Sequence, residues 1–541
     1  MMPDNKKKIL VLGGGFAGMY AARHLEKVLR SGEAEISLVN QENYSVYQPM
    51  LPEVISGSIG LTDVVSPIRR ICPRSHLIMR EVESIDLAKK VVTVAPGFRP
   101  RRMELPYDYL VIALGGITDF YGMPGMIENA KPFRTLADAV ALRNHIIHAL
   151  EEADVETDPA QRSKLLTFVV AGGGFSGVEV MAELNDFVYA VKRNYSRIRD
   201  AQMRCVLVHS GDRILPEMTE DLGRFAQKIL VKRGVEIILN DRLEAATSEM
   251  AIFKSGIEVP SKTIVSTVPS VISPVLQKLD CKKERGRLLV NGQMELVGHE
   301  GVVWALGDCA AAKTKAGTPV PPTAQHAIRE ATTVANNIAA IMRGSARSEF
   351  AFEGLGKLAS LGHFSAVADI MGIRISGPLA WLLWRAIYLM KMPGFSQKVR
   401  IALDWLVAIL FPPDLVQLKM LRGSDIKRQH FEPGDVVFNQ GDFGDSVYVI
   451  EKGTCEVLRE KDGAQQHLAD LGAGDYFGEM AVLADVSRNA TIRAVSAMEV
   501  LLIPKDDFNL LKTTVPAFGD VFTQLAKKRS TAGGESGQPG S

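Results

Sequence analysis

Residues 6 to 29 read KKKILVLGGGFAGMYAARHLEKVL: a short apolar run, a turn through three glycines, then apolar residues at helical spacing. The change of period across the glycines predicts strand, tight loop and helix. In Gly13-x-Gly15-x-x-Gly18 the missing side chains let the backbone approach a pyrophosphate at the helix N-terminus. Residues 165 to 187, LLTFVVAGGGFSGVEVMAELNDF, repeat the arrangement about 160 residues later with Gly172-x-Gly174-x-x-Gly177. One such loop could be a packing turn. Two, each between a strand and a helix, predict an α/β protein with two Rossmann-like dinucleotide-binding domains.

Two further runs read as buried strands. YDYLVIALGG ends at Gly115-Gly116 and EGVVWALGDCAA at Gly307-Asp308, and both return the chain to the first sheet. The acidic ribose partner expected roughly 20 residues after such a loop is absent from both copies. Asn40 closes the second strand of the first core and His209 that of the second. Asn40 still offers a ribose hydroxyl a hydrogen bond. A carboxylate at position 209 would repel a 2′-phosphate, so His209, Ser210 and Arg213 weaken the preference for NADH over NADPH.

The 541 residues suffice for three or four domains at about 150 residues each. Lys+Arg 63 against Asp+Glu 62 gives a net charge of +1, without the broad positive field of a nucleic-acid binder. Cys72, Cys205, Cys281, Cys309 and Cys455 lie far apart with no C-x-x-C, which argues against a disulfide reductase or a sulfide-oxidising flavoenzyme and for a reducing compartment. Each reads as a small buried apolar residue. The span EEADVETDPAQRS (151 to 163) reads as an exposed helix end and loop.

At this point the chain resembles the type II NADH:quinone oxidoreductases over about residues 6 to 415. The resemblance rests on the first loop, NYSVYQPMLPEVISG, LVIALGG, GGGFSGVE, HSGDRILPE, WALGDCA and PPTAQHAIREA. It implies that FAD lies on Gly13, Gly15, Phe16, Ala17, Gly18, Asn40, Gln41, Gly115, Asp308, Ala324 and Gln325. It implies that NADH, or NADPH, lies on Gly172, Gly174, Phe175, Gly177, Glu179, His209 and Arg213. Glu179, Gln325 and Arg329 are the implied catalytic residues, with Ala324-Gln325-x-Ala327-x-Arg329 at the quinone motif and Arg329 in place of its usual final Gln. The alternatives are a helix-surface amide for Gln325 and a first-turn acid for Glu179. Flavin chemistry then needs no nucleophile and no metal.

From Ile375 to Phe411 the chain is apolar, but charges interrupt it and Pro393-Gly394 divides it, so no run reaches the about 18 to 20 residues of a membrane span. Trp381, Trp384 and Trp405 fall in this stretch, helical spacing puts Leu379, Leu382, Leu383, Ile387 and Met390 on one side, and residues 374 to 400 hold five basic and no acidic residues. An apolar stripe with tryptophans and a basic fringe suits a helix lying in the headgroups of an anionic membrane. The competing reading is an amphipathic pair packed on the protein's own core or on a second copy.

Residues 431 to about 515 resemble a cyclic-nucleotide-binding domain. The matching text is PGDVVFNQGDFGDSVYVIEKGTCEV, with glycines 434, 441, 444 and 453 at turns of a β-roll, followed by FGEMAVLADVSRNAT. The resemblance implies a ligand site at Phe477, Gly478, Glu479, Met480, Arg488, Asn489, Ala490 and Thr491. Glu479 takes the ribose 2′-hydroxyl, and Arg488, nine residues on, takes the phosphate. Asn489 matches neither a cAMP nor a cGMP preference. A β-roll used only for dimerisation or docking is the alternative.

The expected order is an FAD-binding domain in two parts (1–125 and 276–350), an NAD(P)H-binding domain (126–275), an amphipathic membrane-associating helical segment (351–420), the nucleotide-binding β-roll (421–525) and a disordered tail (526–541). The expectation is a peripheral enzyme, a homodimer at the cytoplasmic face of the inner membrane, modulated by cAMP or cGMP. A redox sensor with little turnover is the competing function.

Overall fold

The computed structural model describes residues 6–95, 103–120, 122–267, 271–315, 317–418, 427–442, 446–461, 464–484, 487–505, 507, 508 and 511. The chain opens with β1 (Lys7–Leu12), α1 (Phe16–Val28), β2 (Ala34–Asn40), the one-turn helix α2 (Glu53–Ser56), β3 (His76–Met79) and β4 (Tyr109–Ile112). It continues through β5 (Ala130–Pro132), α3 (Leu136–Val155), β6 (Thr167–Ala171), α4 (Phe175–Val191), β7 (Arg204–Val208), β8 (Val235–Ile238) and β9 (Thr263–Ser266). β10 (Val303–Ala305) and α5 (Ala324–Met342) precede a meander, β11 (Gly356–Ser360), β12 (Ala366–Ile370) and β13 (Ile373–Gly377), and the helices α6 (Pro378–Lys391) and α7 (Phe395–Leu410).

The two halves are copies in topology. One sheet runs β10-β4-β1-β2-β3 and the other β5-β9-β6-β7-β8, with every neighbouring pair parallel. Strands covered on both faces read as unbroken apolar runs, and all five residues of β6 are buried. β10 returns to the first sheet after the whole second core, as its sequence predicts, and α5 then lies along α1. α3 starts at a capping box in which Thr135 and Asp138 satisfy each other's backbone amides.

Segment 351–420 departs from the helical expectation, because an antiparallel meander comes first and only then the two helices. Trp381, Trp384 and Trp405 are buried, so they anchor α6 and α7 to the body instead of facing outward. Arg385 also points inward and leaves the basic fringe. The apolar side chains that α6 and α7 expose include Leu379, Leu382, Met390, Phe395, Leu403, Leu406 and Leu410, with Phe411 just beyond, and Lys391 and Arg400 are exposed among them. Leu383 and Ile387 are half-buried. No helix among the described residues is long and apolar enough to cross a membrane.

The β-roll comprises β14 (Lys427–Phe431), β15 (Val436–Phe438), β16 (Ser446–Lys452), β17 (Cys455–Lys461), β18 (Ala464–Leu471), β19 (Tyr476–Phe477), the short α8 (Glu479–Ala484), β20 (Thr491–Ala494) and β21 (Met498–Pro504). Two antiparallel sheets, β14-β21-β16-β19 and β15-β20-β17-β18, close over Phe431, Ile450, Cys455, Ile492, Met498 and Val500. β14 packs against the helix Met126–Asn129 of the second dinucleotide half. The turn glycine Gly444 and the expected tail 526–541 lie outside the described residues.

Candidate active site

Both glycine loops are built alike. A Cβ on Gly18 would lie 1.9 Å from the Gly13 carbonyl oxygen, and one on Gly177 would lie 1.7 Å from that of Gly172, so each helix closes onto its loop only without a side chain there. Gly15 and Gly174 cap α1 and α4 with no side-chain hydrogen bond, which leaves the first amides available to an anion. A Cβ on Gly15 would meet nothing within 4 Å. The first loop therefore fits a dinucleotide pyrophosphate.

The residues that replace the ribose acids brace these loops. Asn40 Oδ1 accepts from Gly14 N at 2.8 Å, while its Nδ2 donates to the Glu42 carbonyl at 2.8 Å. His209 Nδ1 accepts from Gly173 N at 3.1 Å, which assigns the ring proton to Nε2. Burial lowers its pKa and favours this neutral form. Arg213 donates to the carbonyls of Pro216 and Met218 at 3.3 and 3.4 Å, and Glu217 Oε1 lies 3.2 Å from where a Gly174 Cβ would sit. Glu217 is a neighbour of the loop that sequence reasoning missed.

On the returning strand, Asp308 pairs with Arg134 at 3.2 Å beside Gly115. Glu330, also missed, is buried and accepts from Gly307 N at 2.6 Å, and burial pushes its carboxyl up to about 7. Gln325, expected at the quinone motif, has both ends of its amide engaged. Its Nε2 donates to the Gly356 carbonyl at 3.1 Å and its Oε1 accepts from Leu355 N at 3.0 Å, so it ties α5 to β11. Arg329 is exposed and sits over the Phe352 ring at 5.3 Å.

Glu179 lies deeper than its motif suggests. It is buried, its Oε1 accepts from Ser360 N at 3.0 Å, and burial pushes the carboxyl up to about 8. A file of rings joins the first loop to this acid: Phe16 and Tyr47 are 5.6 Å apart, Tyr47 and Tyr388 6.3 Å, Tyr388 and Trp384 4.9 Å. Burial raises the Tyr388 hydroxyl, and Glu179 adds to that rise. Around it lie Arg385, expected in the basic fringe, and Glu183 and Glu53, which sequence reasoning missed. Glu53 Oε2 accepts from Trp405 Nε1 at 2.7 Å, its Oε1 is 3.5 Å from Arg385, and the guanidinium lies between the Trp381 and Trp405 rings at 4.2 and 4.3 Å.

In the β-roll, Phe477, Glu479, Arg488 and Ala490 are buried and Asn489 is exposed. Arg488 Nη1 donates to the Gly478 carbonyl at 2.8 Å and Nη2 to that of Ser446 at 2.9 Å. Its guanidinium covers the Phe438 ring at 4.1 Å, and Tyr448 stacks on Phe477 at 5.0 Å. The Gly478 carbonyl is reached because φ is +85° there, and a Cβ would meet Arg488 Nη1 at 2.6 Å. Asn489 contacts Met480 Sδ at 3.5 Å, and Thr491 Oγ1 accepts from Gln440 N at 2.9 Å. The structure thus places Gly478 on the Arg488 guanidinium with Tyr448 and Phe477 stacked beside it, and sets Asn489 against Met480.

Two dinucleotide loops on twin parallel sheets define a flavoprotein of the pyridine nucleotide-disulphide oxidoreductase class, and residues 7–331 match that family. Residues 355–414 match the NDH2 C-terminal domain and residues 428–513 the cyclic nucleotide-binding domain. The chain is 30% identical over 425 residues to the type II NADH:quinone oxidoreductase Ndh of Mycobacterium tuberculosis, covering 75% of this chain and 89% of that one. It is 31% identical over 413 residues to the demethylphylloquinone reductase NdbB of Synechocystis, covering 75% and 97%. The solved structure of NDH2 from Plasmodium falciparum in complex with NADH superposes with a TM-score of 0.70 at 18% identity, covering 76% of this chain and all of that one, and so shares the fold. The chain belongs to the type II NADH:quinone oxidoreductases, FAD-dependent NADH dehydrogenases, and carries a cyclic nucleotide-binding domain at its C-terminal end. All five cysteines are free, so no cystine takes part.

Proposed function

We propose that the chain oxidises NADH, and NADPH as well, and delivers the electrons to a membrane quinone under control of a cyclic nucleotide held in the β-roll. The observation that carries this is the pairing of two uncapped glycine loops with the buried acid Glu179 at the end of a file of rings that starts at Phe16. A bound FAD supplies hydride acceptance from the nicotinamide and two-electron delivery to the quinone. Gly13, Gly15 and Gly18 bring the backbone against its pyrophosphate, Phe16 and Ala17 supply the first amides of α1, and Asn40 with Gln41 lies at the ribose end. Gly115, Asp308, Ala324 and Gln325 shape the opposite wall, Gln325 by fixing backbone. Gly172, Gly174, Phe175, Gly177 and His209 hold the nicotinamide dinucleotide. Glu179, protonated at neutral pH, hands a proton to the quinone from a site screened from water. Arg329 lies at the outer edge.

The exposed apolar face of α6 and α7 docks into the lipid surface, where the quinone resides. The enzyme works there as a peripheral homodimer at the cytoplasmic side. In the β-roll, Arg488 exchanges its carbonyl partners for the cyclic phosphate, Glu479 takes the ribose 2′-hydroxyl, and Gly478, Met480, Asn489, Ala490 and Thr491 frame the ligand. The contact of β14 with Met126–Asn129 gives ligand binding a route to the NAD(P)H half. The test is turnover of NADH and NADPH with quinone, with and without cAMP or cGMP. Absence of turnover in flavin-loaded protein leaves the redox-sensor reading instead, and turnover without any nucleotide binding leaves the β-roll structural.

A further inference from the structure

Each turnover has an unequal proton account. NADH donates a hydride, that is two electrons and one proton, whereas a quinone reduced by two electrons takes two protons to become the quinol. One proton must therefore come from solution each time, and Glu179 is buried. Something has to recharge it.

Glu183 stands one turn further along α4, and residues four apart share a helix face. It is buried, and its Oε2 accepts from Ser56 Oγ at 2.5 Å. Ser56 Oγ is in turn 2.9 Å from Ser58 Oγ. Ser58 is half-buried and follows Gly57, which is exposed. Two hydroxyls thus lead from the surface to Glu183. A serine hydroxyl both donates and accepts, so each can pass a proton on while receiving another.

The remaining groups facing Glu183 decide which acid carries the proton. Arg385 on α6, Glu53 on α2 and Asp186 on α4 are those groups, and Asp186 is already paired with Arg233 at 3.2 Å. Glu53 has the Arg385 guanidinium and the Trp405 indole N–H as partners. Glu183 has the Ser56 hydroxyl as its hydrogen-bond partner. Burial raises both carboxyls, and at Glu53 the Arg385 guanidinium 3.5 Å away and the Trp405 N–H oppose the rise. One guanidinium balances one carboxylate. Glu53 takes that place, and Glu183 is the neutral partner able to carry a proton.

We propose that Ser58, Ser56 and Glu183 form the line by which solution protons reach the face of α4 that Glu179 shares one turn away, with Arg385 and Glu53 fixing the charge beside it. The proposal rests on the proton-donor reading of Glu179. Glu183 acts through Glu179 and is a positioning and relay residue.

The test uses the full flavin-loaded chain with a soluble quinone in stopped flow. Glu183→Gln and Ser56→Ala should leave flavin reduction by NADH unchanged and slow reoxidation by quinone at least about tenfold, with a larger solvent deuterium isotope effect. Independently of turnover, the infrared absorption of a protonated carboxyl should disappear in Glu183→Gln. If Glu179→Gln slows reoxidation while both relay variants keep the parent rate and isotope effect, the relay is wrong and the Glu179 reading stands. If Glu179→Gln itself leaves reoxidation intact, both fall. Should Glu183→Gln fail to fold, Ser56→Ala alone decides, since it removes one hydroxyl and keeps every charge.

Discussion

Replacing Glu179 with Gln removes a proton and keeps the shape. A carboxyl titrating at about 8 is about nine-tenths protonated at pH 7 and about one-tenth at pH 9, so quinone-driven reoxidation should fall roughly tenfold across that interval. Positioned acid catalysis contributes roughly 10²- to 10⁴-fold, so the Gln variant should lose at least about 10²-fold at pH 7 and show no dependence on pH between them. Stability follows the same group with a definite sign. The folded carboxyl holds its proton more tightly than the ordinary value of 4.5, so its share of stability is present at low pH and is lost as pH rises through about 8. The parent should therefore lose more thermal stability between pH 6 and pH 9 than Glu179→Gln. Stopped-flow flavin reduction by NADH is the control and should be equal in both proteins. A Gln variant that reoxidises at the parent rate, or that keeps the tenfold pH dependence, would refute the assignment.

Other expectations concern binding, stability and the membrane. His209→Asp should cut kcat/KM for NADPH at least about tenfold and leave NADH little changed, because a carboxylate faces the 2′-phosphate; equal losses for both substrates would contradict that geometry. Gly177→Ala forces a Cβ to 1.7 Å from the Gly172 oxygen, so NADH should reduce the flavin about 10²-fold more slowly while the flavin stays bound. Arg385→Met strands buried Glu53 and should cost about 3–5 kcal/mol, and adding Glu53→Gln should recover most of it; a double variant no more stable than the single one, by thermal melting, would deny the pair. Leu382→Glu with Leu406→Glu should release the protein from anionic vesicles without changing turnover on a soluble quinone.

The parallel sheets were legible because burial on both faces leaves unbroken apolar runs, and the loops because Gly18 and Gly177 allow no side chain. The nucleotide-binding roll was legible for the same reason, since turn glycines punctuate its strands. The interior acids were not. Glu179 was seen through its motif, yet its neighbour Glu183 looked like one more charge on a helix. Both stand in VEVMAEL, where a four-residue step in an apolar helix carried the signal. Arg385 was misread as fringe. A single charge inside LAWLLWRAIYLM is as consistent with a buried pair as with a lipid headgroup, and only its partner Glu53, 332 residues away, separates the two. Gln325 sat in its motif but spent both ends of its amide on Gly356 and Leu355, contacts that no local pattern records.

A quinone-reducing flavoenzyme under the control of a cyclic-nucleotide sensor is the central proposal, and one titration tests that junction. NADH:quinone turnover of the full chain on vesicles is followed as cAMP, and separately cGMP, is raised, for the parent and for Arg488→Ala. The predicted result is a saturable change in the parent's rate with at least one nucleotide, absent from Arg488→Ala, whose flavin spectrum and basal rate match the parent's. A parent rate that stays flat with both nucleotides while calorimetry detects no binding would contradict it.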